Sequence, residues 1–257
     1  MNPASVLRTA REMGLNLRRV RLAGQLPRFL RDLSRWKRLG GEVSTLFPIL
    51  SDWADQAGAA SGAYFHQDLL VARRIYEANP QRHVDVGSRI DGFVAHVAVF
   101  REIEVLDIRP MRSQIRNVRF IQADLMRSTP ELAASTDSLS CLHALEHFGL
   151  GRYGDPIDPT GHLKGFRSLI ELLKPGATFY LSFPIGRPRV EFNAHRVFDC
   201  QEVLSWPGSE LLRLDTFDFV DDDGTVHEDI GLDALRVQCA QLEHGCGIYT
   251  FARREGP

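Results

Sequence analysis

The sequence predicts an α/β fold: a doubly wound, mostly parallel seven-stranded sheet with helices on both faces, preceded by an N-terminal helical extension. Two observations predict it. β-like runs of four to nine residues alternate with helical stretches, and acids or glycines stand directly after the first three of those runs. The alternation implies right-handed βαβ units, and such sheets bind ligands beyond the carboxyl ends of their strands.

The elements follow in order. Residues 61–79 have helical spacing, with Phe65, Leu69, Ala72 and Tyr76 on one stripe, and Pro80 stops the pattern. Strands are expected at His83–Val86, Glu104–Asp107, Val118–Ile121, Ser138–Leu142, Ala177–Phe183, Leu211–Phe219 and Gly247–Ala252. Between them Gly92–Phe100 and Leu163–Leu173 read as helices. The second is opened by a cap-like Thr160 and closed by a Lys174-Pro175-Gly176 turn. These elements make residues 61–257 one α/β domain and residues 1–60 an extension.

At 257 residues and 44% hydrophobic content the chain is long enough for one large domain with a short appendage. Its charge-free stretches are far shorter than a bilayer span needs. Arginines at Arg8, Arg11, Arg18 and Arg19 interrupt the N-terminal segment, so no secretory signal is read there. Cys141, Cys200, Cys239 and Cys246 have no C-x-x-C or zinc-like spacing and read as free thiols. The expected location is the cytoplasm.

The net charge of -2 hides an asymmetry. Residues 1–41 carry ten Lys/Arg against Glu12 and Asp32, a surplus of eight positive charges, which leaves ten net negative charges on the remainder. Leucines and aromatics, among them Leu15, Leu22, Phe29, Leu33 and Trp36, are interleaved with the bases. Such a segment can lie on an anionic membrane, dock on an acidic partner, or pack on the acidic body of its own chain. The acidic body disfavours nucleic acid.

The first strand end reads HVDVGSRIDGF, where Gly87 follows Asp85 by two positions and lets the backbone turn sharply toward a ligand. Asp107 ends the second strand, where a carboxylate can accept both hydroxyl protons of an adenosine ribose. After the third strand, Asp124 and Leu125 can bracket an adenine ring.

From about Val84 to Gly186 the chain resembles the class I S-adenosylmethionine-dependent methyltransferases, through HVDVGSRIDGF, LDIRP, QADL, SLSCLHALEHFG and LLKPGATFYLSFP. HALEHFGLGRYGDPIDPTG and FNAHRVF are similar to a narrower bacterial group, domain of unknown function family 268, over about Tyr64 to Val226. The resemblance implies a Rossmann-like sheet and S-adenosyl-L-methionine as cofactor. Asp85 and Gly87 would flank its methionine moiety, Asp107 would hold the ribose and Asp124 would face the adenine. The superfamily's first loop carries a second glycine where this chain has Arg89, a side chain that can obstruct the cofactor or hold its carboxylate.

HALEHFGLGRYGDPID follows the fourth strand, where such folds place the acceptor. His143, Glu146 and His147 fit the H-x-x-E-H pattern of a zinc peptidase, but that pattern needs one helical face and a third ligand, and no metal is expected. The superfamily often has a Glu-His pair here, so His143 and Glu146 are read on the cofactor side or as loop anchors. His147 is read as such a group or as a general base for a hydroxyl acceptor. Asp155 and Asp158 can bind sugar hydroxyls or, with His195, a divalent cation; Asp158 can equally cap the next helix. His195 and Arg196 are placed over the same mouth, in a lid between Phe192 and Phe198, with a buried structural role open for Asn193. Asp221, Asp222 and Asp223 read as a solvated turn. The expected reaction is methyl transfer to a hydroxyl of a small molecule or of a glycan made for a bacterial surface polysaccharide, with catalytic His147, His195 and Asp155. The alternative is a methyltransferase-shaped scaffold without turnover.

Overall fold

A computed structural model of the chain describes residues 24–54, 58, 60, 62–127, 129–231 and 239–255. The chain divides into two compact units at Ala59 and Ala60. Residues 1–23 of the basic extension lie outside the described residues. In the first unit, helix α1 (Leu26–Arg38) has Pro27 in its first turn and Arg35, Lys37 and Arg38 in its last, which suits the helix dipole. Its Leu26, Leu30 and Trp36 are exposed. No described helix is long and apolar enough to cross a membrane.

The second unit is built on an eight-stranded sheet of order β3-β2-β1-β4-β5-β10-β8-β9. Its strands are β1 (His83–Val86), β2 (Ile103–Asp107), β3 (Val118–Gln122), β4 (Thr136–Leu142), β5 (Leu173–Ile185), β8 (Leu212–Val220), β9 (Val226–His227) and β10 (Gly245–Arg253). The first five pair in parallel, and β10 runs antiparallel between β5 and β8. All seven expected strands are present within a few residues; the eighth is the two-residue edge strand β9. A separate two-stranded hairpin pairs β6 (Arg189–Glu191) with β7 (His195–Val197), the stretch expected as a lid, and it lines neither cavity described below.

Alternate strand residues serve opposite faces. On one face Ile103, Val105, Tyr180 and Ile248 meet Leu70, Val71 and Ile75 of helix α2 (Ala63–Ala78) and Val97 of the short helix α3 (Ala95–Ala98). On the other, Val84, Leu139, Phe179 and Leu181 meet Phe166, Leu169 and Ile170 of helix α4 (Gly161–Leu172). Each such fully buried apolar side chain contributes about 1.5–3 kcal/mol. Arg74 of α2 adds a fork of 2.6 and 3.0 Å onto Asp218 of β8, locking helix to sheet.

Four local expectations need correcting. On α2 the buried residues are Gln67, Asp68, Leu70, Val71, Ala72 and Ile75, while Phe65, Leu69 and Tyr76 are exposed. The Gln67–Val71–Ile75 row faces the sheet, and its polar members hid it from a hydrophobic pattern. The Gly92–Phe100 helix begins instead as a wide turn, Ile90–Val94, because Gly92 adopts a non-helical φ of -126°. Lys174-Pro175-Gly176 is not a helix-ending turn but a bulge inside β5: Thr136 pairs with Leu173 and Ser138 with Thr178, with Gly176 at φ +77° between them. Thr160 makes no side-chain cap; Asp158 accepts both its N–H and its hydroxyl at 2.8 Å.

Candidate active site

The carboxyl ends of β1 to β4 surround two adjoining cavities, of about 50 Å³ and about 420 Å³. The smaller runs past Gly87, Leu106, Asp107, Asp124 and Leu125; the larger is lined by Tyr64, Gln67, Asp68, Ser88, Arg89 and Arg152. Gly87, Arg109, His143, His147 and Tyr153 line both.

Gly87 makes the first turn possible. It sits at φ +74°, and a Cβ there would stand 2.7 Å from that of Ala144. Asp85, two residues earlier, lines neither cavity. Its fully buried carboxylate accepts Ser88 N–H (3.1 Å), the Ser88 hydroxyl (2.8 Å) and the Ser140 hydroxyl (2.6 Å), holding the loop in shape. Burial pushes Asp85 up to about 7, against these donated bonds. Since Ser140 donates to Asp85, its oxygen accepts from His83 Nε2–H (3.1 Å), and His83 Nδ1 accepts from Ser138 (2.8 Å). The relay fixes His83 as a neutral tautomer, and burial depresses it to about 3.

Arg89 leaves the cavity open. Its side chain is 72% exposed and forks onto Asp91 at 2.9 and 2.7 Å. Asp107 stands at the end of β2, where Arg109 N, Nε and Nη2 donate to it at 2.8, 3.0 and 2.6 Å. Oδ2 takes only one of these bonds, so lone-pair capacity remains on it. The Arg109 guanidinium also lies 4.4 Å from the centre of the Tyr153 ring. Both residues of that stack line the two cavities. Asp124 accepts Met126 N–H at 3.0 Å, beside the buried Leu125.

His143 takes a left-handed φ of +50°, which aims Nδ1 at Glu146 (3.1 Å) and Nε2 at Cys246 (3.1 Å). Burial acts to lower His143, but Cys246 and Glu146 outweigh it and hold it well above its usual range. Burial likewise raises Glu146, and the His143 bond overcomes this and leaves the carboxylate low. The pair ties the end of β4 to β10. His147 Nδ1 donates to Ala194 O at 2.6 Å, which leaves its lone pair on Nε2; burial lowers it below its ordinary range, so it is neutral near pH 7. A neutral imidazole on the wall of both cavities has the form a general base requires.

The rest of the expected mouth is placed differently. Asp155 lines the smaller cavity, but its oxygens accept Gly149, Gly151 and Tyr153 N–H at 2.8, 3.1 and 3.1 Å, so it staples its own loop. Arg196 is buried and donates to the carbonyls of Glu146 and Phe148 at 3.1 and 2.7 Å. His195 lines neither cavity; its ring centre is 6.4 Å from that of His147. It does not gather with Asp155 or Asp158. Asn193 is exposed, which removes its buried role. Asp222 is no free turn residue, since it accepts Glu243 and His244 N–H at 2.8 Å each. Tyr64, Gln67, Asp68 and Arg109 are site residues the sequence reading missed. Asp107 is the one acid at the end of β2, and Arg109 two residues on carried an equal signal.

Comparisons agree with this geometry. Residues 83–206 match the family model described as Caenorhabditis protein of unknown function, DUF268. A search of curated proteins found no match. The structure is similar to the Burkholderia thailandensis 1,6-didemethyltoxoflavin-N1-methyltransferase, solved with S-adenosylhomocysteine, at 14% identity and TM-score 0.52 over 80% of this chain and 82% of that one. It is similar to the N-methyltransferase NodS from Bradyrhizobium japonicum, also with S-adenosylhomocysteine, at 13% identity and TM-score 0.50 over 80% and 92%. The fold is that of the class I S-adenosylmethionine-dependent methyltransferases. The [4+2]-cyclase SpnF is equally similar, at 14% identity and TM-score 0.52 over 78% and 86%. The fold therefore does not by itself name the reaction.

Proposed function

We propose that this chain is an S-adenosylmethionine-dependent methyltransferase acting on a hydroxyl of a polar small molecule or glycan. The observation that carries the reading is the lining of one cleft by Gly87, Asp107 and Asp124, at the ends of β1, β2 and β3, together with His147 from the turn after β4. The residues fit the cofactor. Gly87 lets backbone approach it, Asp107 Oδ2 has capacity for a ribose hydroxyl, and Leu125 offers apolar contact to the adenine. The smaller cavity, about 50 Å³, adjoins the larger of about 420 Å³, and together they reach the roughly 300–1,000 Å³ of small-molecule sites. Asp85 would act indirectly, by shaping the Gly87 loop, and Arg89 would be free to meet the cofactor carboxylate from the rim.

The cofactor supplies an electrophilic methyl group on a sulfonium. The chain's part is to align an acceptor behind that methyl and to take its proton. His147 would do so from Nε2, which lies 3.6 Å from Glu146 Oε1, with Nδ1–H fixed by Ala194 O. The larger cavity, with Tyr64, Gln67, Asp68 and Arg152, suits an acceptor rich in hydroxyls. Cytoplasmic enzyme tethered at an anionic membrane by residues 1–41 is the setting this reading favours. The test is transfer of labelled methyl from S-adenosylmethionine to a panel of sugars and glycans. Label that survives alkali marks an ether and supports the reading; label on amines or thiols only, or none on any acceptor, removes it.

A further inference from the structure

We propose that Glu191, His195 and His244 form a site for one divalent transition-metal ion, of the zinc type, on the β6–β7 hairpin. These three residues offer ligand atoms that all lie within 4.8 Å of one another. The hairpin register pairs Glu191 directly with His195, so both side chains project from one face. His244 arrives from the segment before β10, where Asp222 holds Glu243 and His244 N–H at 2.8 Å each. The cluster is therefore assembled from two separate stretches whose backbones are both fixed.

The geometry is close to what zinc needs. Ligand bonds of about 2.0–2.1 Å in a tetrahedron put donor atoms roughly 3.3–3.4 Å apart. Glu191 Oε2 lies 3.6 Å from His195 Nε2, and Glu191 Oε1 lies 3.8 Å from His244 Nε2. These contacts use different carboxylate oxygens, so a shared ion needs the carboxylate and both rings to turn toward it. His195 Nε2 is buried and has no hydrogen-bond partner among the described residues, which leaves it available as a ligand atom. Two imidazoles and a carboxylate select a zinc-like ion over magnesium or calcium, which prefer oxygen ligands throughout, and they leave one position open.

Arg189 is the competing occupant. Its Nε donates to Glu191 Oε1 at 2.9 Å, and its Nη2 lies 3.2 Å from both nitrogens of His244. Ion binding displaces this guanidinium from the carboxylate face, while its bond to Glu243 O at 2.7 Å can persist. An ion here pins the hairpin to the start of β10. The hairpin carries Ala194, whose carbonyl orients His147, so the site braces the wall of the cleft without lining it.

The test uses the full chain, stripped with chelator, and titrates Zn²⁺ in competition with a chromophoric chelator near pH 7.5. One ion per chain is expected, weakened at least tenfold by Glu191→Gln and by His244→Ala, and unchanged by His96→Ala, an exposed histidine elsewhere. Co²⁺ added to the wild-type chain should give the visible absorption of a tetrahedral site, a readout that needs no variant to fold. Absence of saturable one-to-one binding overturns the proposal, as does equal affinity in the two cluster variants. These readouts do not depend on S-adenosylmethionine binding, so their failure leaves the methyltransferase reading intact.

Discussion

Replacing His83 with glutamine tests the buried relay that shapes the first loop. His83 is fully buried between Ser138 and Ser140, and glutamine can keep the N–H donated to Ser140 while removing the titrating ring. In the fold His83 is depressed to about 3, whereas an unfolded histidine titrates near 6.5. Below pH 6.5 the unfolded chain takes up a proton that the folded chain refuses, so this residue costs stability as pH falls. The loss approaches about 1.4 kcal/mol per pH unit and integrates to about 2 kcal/mol between pH 7 and pH 5. Asp85, raised to about 7, has the opposite sign: it costs stability as pH rises from about 4 toward 7. Its contribution is present in both proteins and cancels in the difference. Urea unfolding at the two pH values, read by tryptophan fluorescence, should show the wild type losing about 2 kcal/mol more than His83→Gln. Equal losses within about 0.5 kcal/mol would refute the neutral, Ser-bracketed histidine.

Asp155→Ala should act on the loop before it acts on any acceptor, because three backbone amides lose their partner. A loss of about 2 kcal/mol, roughly 4–8 °C in melting temperature for a domain this size, is expected by calorimetry, and an unchanged melt contradicts the staple. His147→Ala should lower turnover by about 10²-fold or more with cofactor affinity little changed; lost cofactor binding instead makes His147 part of the cofactor wall. His195→Ala, at a residue that lines neither cavity, should have the smaller effect on turnover at saturating acceptor. For the extension, sedimentation with vesicles should require anionic lipid and weaken with salt, given the exposed Leu26, Leu30 and Trp36 beside the bases of α1; equal binding to neutral vesicles, or none, contradicts the tether.

The strands were legible because short runs rich in β-branched and aromatic residues alternate with helical stretches, and even the polar positions of His83–Val86, His83 and Asp85, are buried. The cleft was legible for the same topological reason: Gly87, Asp107 and Asp124 mark strand ends, and strand ends mark the site. What a residue does there was less legible. Asp85 and Asp155 have the composition of ligand-binding acids, yet local hydrogen bonds engage their oxygens. Spacing cannot distinguish a carboxylate turned toward a cleft from one turned toward its own backbone. The α2 contribution was hidden because Gln67 and Asp68 sit on its buried face, which made the exposed Phe65–Leu69 row look like the core stripe. The Glu191–His195–His244 cluster depends on a hairpin register and on a segment far downstream, neither of which a linear motif encodes.

The central claim is that the cleft at the ends of β1 to β4 binds the methyl donor, and S-adenosylhomocysteine titrated calorimetrically into the wild type and Asp107→Ala tests it most directly. Micromolar affinity, near -8 kcal/mol, is expected for the wild type. A weakening of about 1.5–3 kcal/mol, or roughly 10- to 150-fold, is expected for the variant, which loses a charge-assisted bond to the ribose. Absence of both heat and thermal shift at millimolar ligand would contradict the account and leave a methyltransferase-shaped scaffold; unchanged affinity in Asp107→Ala would contradict the placement of the ribose.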